Sequence, residues 1–281
     1  MAKLAFLGTG LLGGAFAEAA AKRGDTVVAW NRSPDKARAL APFGIAAAAT
    51  PAEAVAGASR VHLILKDDAV VEEVIAAARP GLSADAVLID HSTTLPALTA
   101  ERAGRLAAKG VAYLHCPVFM GPPAARNAQG SMLAAGPAAV FERVKADLEK
   151  MTGRLEYLGE RPDLAAVYKL LGNAMFIGTW GVLADILAVA RGGGVAAEDA
   201  VKMLGMLDLN AVVAGRGMSM AKGNFTPTFE LSMARKDVEL MLETAGGLPL
   251  AALPGIAARM DALVAAGHGD RDASVLAIDS I

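Results

Sequence analysis

Lys169 and Asn173 stand four residues apart in a long stretch that is otherwise mostly apolar or small, so in a helix both side chains project from one face. An ammonium set among apolar groups must find a polar partner or give up its charge, and desolvation draws its pKa down toward neutrality. A lysine tuned in that way can hand a proton to a substrate oxygen as hydride arrives at the neighbouring carbon. The same pair also reads as a snorkelling lysine beside a structural asparagine, and periodicity alone leaves both readings open.

Hydride chemistry needs a dinucleotide, and Gly8-Thr9-Gly10-Leu11-Leu12-Gly13 fits G-x-G-x-x-G between a predicted strand and a predicted helix. The first glycine permits the tight turn, the second lets the backbone approach a pyrophosphate, and the third lets helix and strand pack closely. The helix N-terminus then faces the phosphates. The second predicted strand ends in Asn31-Arg32-Ser33, where an NAD site would place a carboxylate for the ribose 2′-hydroxyl. Arg32 offers a planar cation, Asn31 and Ser33 offer hydrogen bonds, and Lys36 adds charge one turn later, so NADPH is expected in preference to NADH. Arg32 also reads as a solvated loop cation.

Other reactive side chains carry less. His115 and Cys116 are adjacent, and an extended segment points them to opposite faces, against a nucleophile and base pair. His62 falls in a predicted strand and reads as a satisfied core residue, His268 lies in a predicted loop, and the four histidines show no metal-ligand spacing. No metal is expected. Met203, Met206, Met218 and Met220 read as core or cleft filler.

The elements that must position these residues alternate in the first half of the chain. Leu4–Leu7, Thr26–Trp30, Val61–Leu65, Ala86–Ile89 and Ala112–Leu114 read as strands. Leu11–Arg23, Pro34–Ala41, Pro51–Ala56, Ala69–Ala78 and Leu95–Lys109 read as helices between them. That order of strand and helix predicts an α/β fold, an N-terminal Rossmann domain with a doubly wound parallel sheet over residues 1–161. Past about residue 160 the strand signal stops, and an all-α C-terminal domain is expected over residues 162–281. It opens with one long interdomain helix, Pro162–Arg191, buried on most sides and stopped by Gly192-Gly193-Gly194, with further helices over Ala197–Leu204, Leu231–Ala245 and Leu250–Ala266. A long apolar helix at a domain junction commonly serves as a subunit interface, so a homodimer or higher homo-oligomer is expected.

Composition narrows the partners. Lys plus Arg total 27 against 29 Asp plus Glu, leaving no field to draw in nucleic acid or an anionic membrane, so the partner is expected to be a small molecule. The apolar runs read as too short to span a bilayer, and the opening residues lead directly into the glycine motif, which points to a cytoplasmic protein. With Cys116 alone, an intrachain disulfide is impossible.

Several spaced segments, in order, resemble the β-hydroxyacid dehydrogenase family that includes 3-hydroxyisobutyrate dehydrogenase and tartronate semialdehyde reductase, and to which imine reductases are related. They are the Gly8 to Gly13 loop, Asp90-His91-Ser92-Thr93-Thr94-Leu95-Pro96, Pro117-Val118 running on to Gly130-Ser131-Met132-Leu133, the Lys169 to Asn173 pair, and Arg235-Lys236-Asp237. The resemblance implies that Lys169 is the general acid of carbonyl reduction and that Asn173 orients substrate beside it. It also implies that Leu65, Lys66, Ser92 and Thr93 line the cofactor and that Lys236 reaches back to it. One segment departs from the family. Where a Ser-Gly-Gly turn usually follows Pro-Val, this chain has Phe119-Met120-Gly121, and a ring cannot donate or accept as the serine hydroxyl would. With Phe119, Met120 and Gly121 at the substrate, the reading is reduction of a semialdehyde or keto acid to a hydroxy acid by NADPH. An imine or a less polar carbonyl, and a non-catalytic dinucleotide-binding module, stand as alternatives.

Overall fold

A computed structural model describes residues 2–281. Strand β1 (Lys3–Leu7) runs into the glycine turn and helix α1 (Leu11–Lys22), and the chain continues through β2 (Thr26–Trp30), α2 (Pro34–Arg38) and a two-residue strand β3 (Ala46–Ala47). Helix α3 (Pro51–Val55), β4 (Arg60–Leu63), α4 (Asp68–Ala78), β5 (Val87–Asp90), α5 (Pro96–Ala107) and β6 (Ala112–His115) complete a six-stranded sheet. Every pairing in it is parallel, in the order β3-β2-β1-β4-β5-β6. The order reverses between β1 and β4, and the crevice beyond their carboxyl ends is where a doubly wound sheet takes a ligand.

Alternation of side chains along these strands feeds two separate cores. Leu4 and Phe6 of β1 pack with Ala15, Phe16 and Ala20 of α1 on one face. Ala5 and Leu7 pack with Val55 of α3 and with Val71, Val74 and Ile75 of α4 on the other. Strands this apolar on both faces are buried parallel strands, and the α/β expectation holds.

A second, three-stranded sheet went unread in the sequence. It is formed by β7 (Val118–Phe119), β8 (Ser131–Ala134) and β9 (Arg154–Tyr157), with helices α6 (Pro122–Arg126) and α7 (Ala138–Leu148) between them. Register pairs Phe119 with Ser131 and Val118 with Met132. Two- and four-residue strands give too few alternations for a period-two signal, which is why this sheet stayed hidden.

Helix α8 spans Leu164–Gly192, within two residues of expectation at its start and one at its end. Its burial is not as expected. Leu171, Ile177 and Trp180 are 60, 61 and 64% exposed, because an apolar stretch shows that a helix wants cover without showing that its own chain supplies it. By length and composition α8 is also apolar enough to cross a membrane, which corrects the expectation that no segment would be. The chain divides into compact units at Met1–Asn173 and Ala174–Ile281, so the break falls inside α8 rather than before it. The first turns of the helix belong with the first unit, where Ala165 and Ala166 are buried.

The second unit is helical, with α9 (Ala197–Leu204), α10 (Leu209–Val212), α11 (Met218–Ala221), α12 (Leu231–Ala245) and α13 (Leu253–Leu263). Its core joins Leu231, Ala234 and Val238 of α12 to Ala257, Met260 and Leu263 of α13. Met203, Met206 and Met218 are exposed and Met220 is half-buried, so of the core-or-cleft expectation the core part fails for the first three.

Candidate active site

The glycine turn is built so that no other residue fits at two of its three glycines. Gly8 has φ +98°, and a Cβ there would stand 2.2 Å from the Ile64 carbonyl oxygen. A Cβ on Gly13 would stand 1.9 Å from the Gly8 oxygen. At Gly10 it would meet nothing within 4 Å, so that side of the turn is open space. The Asn31 side chain ties the turn to the end of β2, accepting from the Thr9 backbone N–H at 3.0 Å and donating to the Ser33 carbonyl at 3.1 Å. The Thr9 hydroxyl is buried with no hydrogen-bond partner among the described residues. The first turn of α1 carries neither a carboxylate nor a side-chain cap, leaving its N–H groups free for an anion. An open Gly10, uncapped N–H groups and an orphaned hydroxyl together fit a dinucleotide pyrophosphate.

Gly8, Gly10, Asn31, Arg32, Ser33, Lys36, Leu65 and Lys66 line a single cavity of about 230 Å³, which brings most of the expected cofactor residues together. Its remaining wall went unread. Trp30 closes β2, Ile64 follows β4, and Val70, Glu73 and Val74 come from α4, where the i, i+3, i+4 spacing was the available signal. Glu73 places a carboxylate in the cavity that holds Arg32, whereas the strand end alone showed none. Thr9, Gly10, Leu11 and Lys36 line an adjoining cavity of about 370 Å³ with Glu18 and Arg126. Leu12 packs against the core instead.

The Leu65 backbone N–H donates to the Ser92 hydroxyl at 3.0 Å, and the Ser92 N–H donates to Asp90 at 2.9 Å. Asp90 is fully buried, accepts from the Tyr113 hydroxyl at 2.9 Å, and lies 3.5 Å from the buried Arg102 guanidinium. The loops after β4 and β5 are thus joined by the Leu65–Ser92 hydrogen bond, and the β5 end is anchored to α5 by a buried ion pair. Thr93 is exposed, Lys66 lies 3.8 Å from Asp67, and Lys236 is 3.0 Å from Asp237 on the surface of α12.

Lys169 extends from α8 to β7. Its Nζ donates to the Val118 carbonyl at 2.7 Å and lies 4.3 Å from the Phe119 ring centroid. Burial lowers its pKa from the ordinary lysine value. Asn173 is half-buried one turn later. Met120 is half-buried against the main core, and Gly121 is the extended N-cap residue before α6. Lys169 and Phe119 therefore meet, as a substrate pocket containing both requires.

Residues 3–159 match the family described as the NAD binding domain of 6-phosphogluconate dehydrogenase. The chain belongs to that family. Over nearly its whole length it is also similar to 3-sulfolactaldehyde reductase of Escherichia coli (strain K12), at 28% identity across 98% of this chain and 95% of that one. The Streptomyces aurantiacus imine reductase shares the fold with a TM-score of 0.89 at 26% identity, covering 99% of this chain and 98% of the other. A reductive aminase from Aspergillus terreus in complex with NADPH and ethyl levulinate superposes with a TM-score of 0.90 at 24% identity, covering 100% and 99%. The resemblance read from the spaced motifs is borne out, and the chain is a dinucleotide-binding oxidoreductase of the hydroxyacid dehydrogenase and imine reductase kind.

Proposed function

We propose that this oxidoreductase reduces a small carbonyl compound with NADPH, with Lys169 as the proton donor. When bound, the nicotinamide supplies a hydride to the carbonyl carbon. As the C=O π pair moves onto oxygen, that oxygen takes a proton from Lys169 Nζ, and the amine regains one from solvent. The observation that carries this reading is the Lys169 amine itself, half-buried, held at 2.7 Å by the Val118 carbonyl and with its pKa lowered by burial. A lysine that merely snorkels would put its ammonium into water. Asn173, four residues on and so on the same helix face, takes the role of orienting the substrate in this reading. NADPH over NADH is supported by Arg32, Ser33 and Lys36 sharing one cavity with the glycine turn.

A semialdehyde or keto acid is the substrate the family resemblance favours. The Phe119 ring lying over the amine favours the second reading, an imine or a less polar carbonyl. Oxidation of NADPH and of NADH, followed against short aldehyde acids, uncharged carbonyls and cyclic imines, tests both. Turnover of at least one class with NADPH preferred is the expected result. Tight nucleotide binding with no turnover of any class would favour a non-catalytic binding module.

We also propose that a second copy of the chain covers the exposed apolar surface of α8. In its C-terminal half the helix carries one buried residue, Asp185, which accepts three backbone hydrogen bonds from protein, and this argues for a protein environment over lipid.

A further inference from the structure

Phe119 meets α8 at Gly172. A Cβ on residue 172 would stand 2.3 Å from Phe119 Cζ and 2.5 Å from Cε1, so the ring rests in a slot that only glycine leaves open. The ring also lies beneath Lys169 Nζ, 4.3 Å from its centroid, while Nζ spends a hydrogen bond on the Val118 carbonyl. Residues 169 and 172 are three apart and share a helix face, so ring, slot and amine form one arrangement. The electron-rich face of an aromatic ring satisfies part of an ammonium's need for solvation. What a ligand meets beside the amine is then aromatic carbon. A carboxylate or sulfonate brought against it sheds water and gains no donor from residue 119 in return.

We infer that Phe119 and Gly172 act as a specificity-determining pair, in which the glycine slot admits the ring and the ring sets an apolar wall beside Lys169. The site therefore takes an uncharged carbonyl compound with an apolar group near the reacting carbon in preference to one bearing an anion there. This rests on the reading of Lys169 as the proton donor of a reductase. Gly172 also departs from what helix propensity would choose, since alanine is the better residue inside a helix, and the ring explains its presence.

The test compares succinic semialdehyde with its methyl ester, two aldehydes alike except for the anion, on the full-length protein with NADPH. The wild type should favour the ester in kcat/KM by about tenfold or more, the fold-change that corresponds to losing one good interaction. Phe119→Ser should move the ratio toward the acid by a similar factor. Gly172→Ala, whose new methyl expels the ring, should move it the same way, and adding Gly172→Ala to Phe119→Ser should change the ratio no further, since no ring remains to be displaced. Melting temperatures show that each variant is folded.

A wild type that prefers the acid overturns the proposal, as do additive effects of the two substitutions. If the wild type binds NADPH but reduces neither aldehyde, the reductase reading fails separately. The pair is then judged by dissociation constants of succinate and its dimethyl ester from the NADP+ complex. The ester must bind more tightly, and Phe119→Ser must reverse or erase that order; equal binding overturns the pair as well.

Discussion

Two glycines in one turn separate binding from folding. At Gly13 an added methyl would collide with the Gly8 oxygen at 1.9 Å, so α1 would have to withdraw from β1. At Gly10 φ is −67° and ψ is −167°, a conformation open to any residue, and the methyl would enter empty space. Gly13→Ala is therefore expected to cost about 1–3 kcal/mol of stability through overpacking. Gly10→Ala should melt as the wild type does, yet bind NADPH at least about tenfold more weakly, because its methyl takes the space that a pyrophosphate needs. Thermal denaturation and nucleotide titration of both variants check the split; equal nucleotide affinity in Gly10→Ala would remove the pyrophosphate from this turn. The motif was legible in the sequence because glycine geometry is local. The cavity's opposite wall was not, since Glu73, Val70 and Val74 reach it only through the packing of α4.

At the scale of elements, local pattern carried the strands and helices that repeat often enough to show a period. Strand β2, α9 and α12 fall on their expected residues, because each is bounded by turn residues and keeps one apolar face. The three-stranded sheet that presents Phe119 lacked any such signal. Its pairings, such as Val118 with Met132, lie far apart in sequence. The apolar stretch of α8 revealed its length but misled on its burial, and within it Asp185 had only its polarity to mark it. That carboxylate is almost fully buried and accepts from the backbone N–H groups of Ala251, Ala252 and Leu253, where α13 begins. Burial alone would raise its pKa, but the three N–H groups outweigh it and hold the value below the usual carboxylate range. Asp185→Ala leaves those donors unpaired and is expected to cost about 1–3 kcal/mol. A urea midpoint equal to the wild type's would show that water replaces the carboxylate without loss.

For the whole molecule, the exposed apolar surface of α8 predicts that light scattering will report at least twice the 28.6 kDa of one chain, and that Trp180→Glu will break the assembly. A monomer at micromolar concentration, or flotation of the protein with liposomes, would contradict the covering copy. Acid sensitivity follows from the sheet's interior. His91 Nδ1 lies 2.7 Å from the Cys116 carbonyl, to which it must donate, and its Nε2 then accepts from His62 Nδ1 at 3.0 Å. Both rings are buried and neutral. Burial lowers the pKa values of His62 and His115, and brings that of His91 from 6.5 to about 4. Between those two pH values the unfolded chain binds the proton that the folded His91 refuses, so stability is complete above about pH 6.5 and declines as pH falls. For His91 alone the loss by pH 4 is on the order of 3 kcal/mol. Urea denaturation at pH 7, 5.5 and 4.5 should show the decline, whereas a flat profile would mean that the rings are protonated in the fold.

The central claim concerns a single proton, and single-turnover kinetics of Lys169→Ala measure it. With enzyme and NADPH premixed and mixed rapidly with a carbonyl that the wild type reduces, the variant should bind NADPH with unchanged affinity. It should oxidise the cofactor about 10²–10⁴-fold more slowly, the loss expected when a general acid is removed. Oxidation at the wild-type rate would contradict the account.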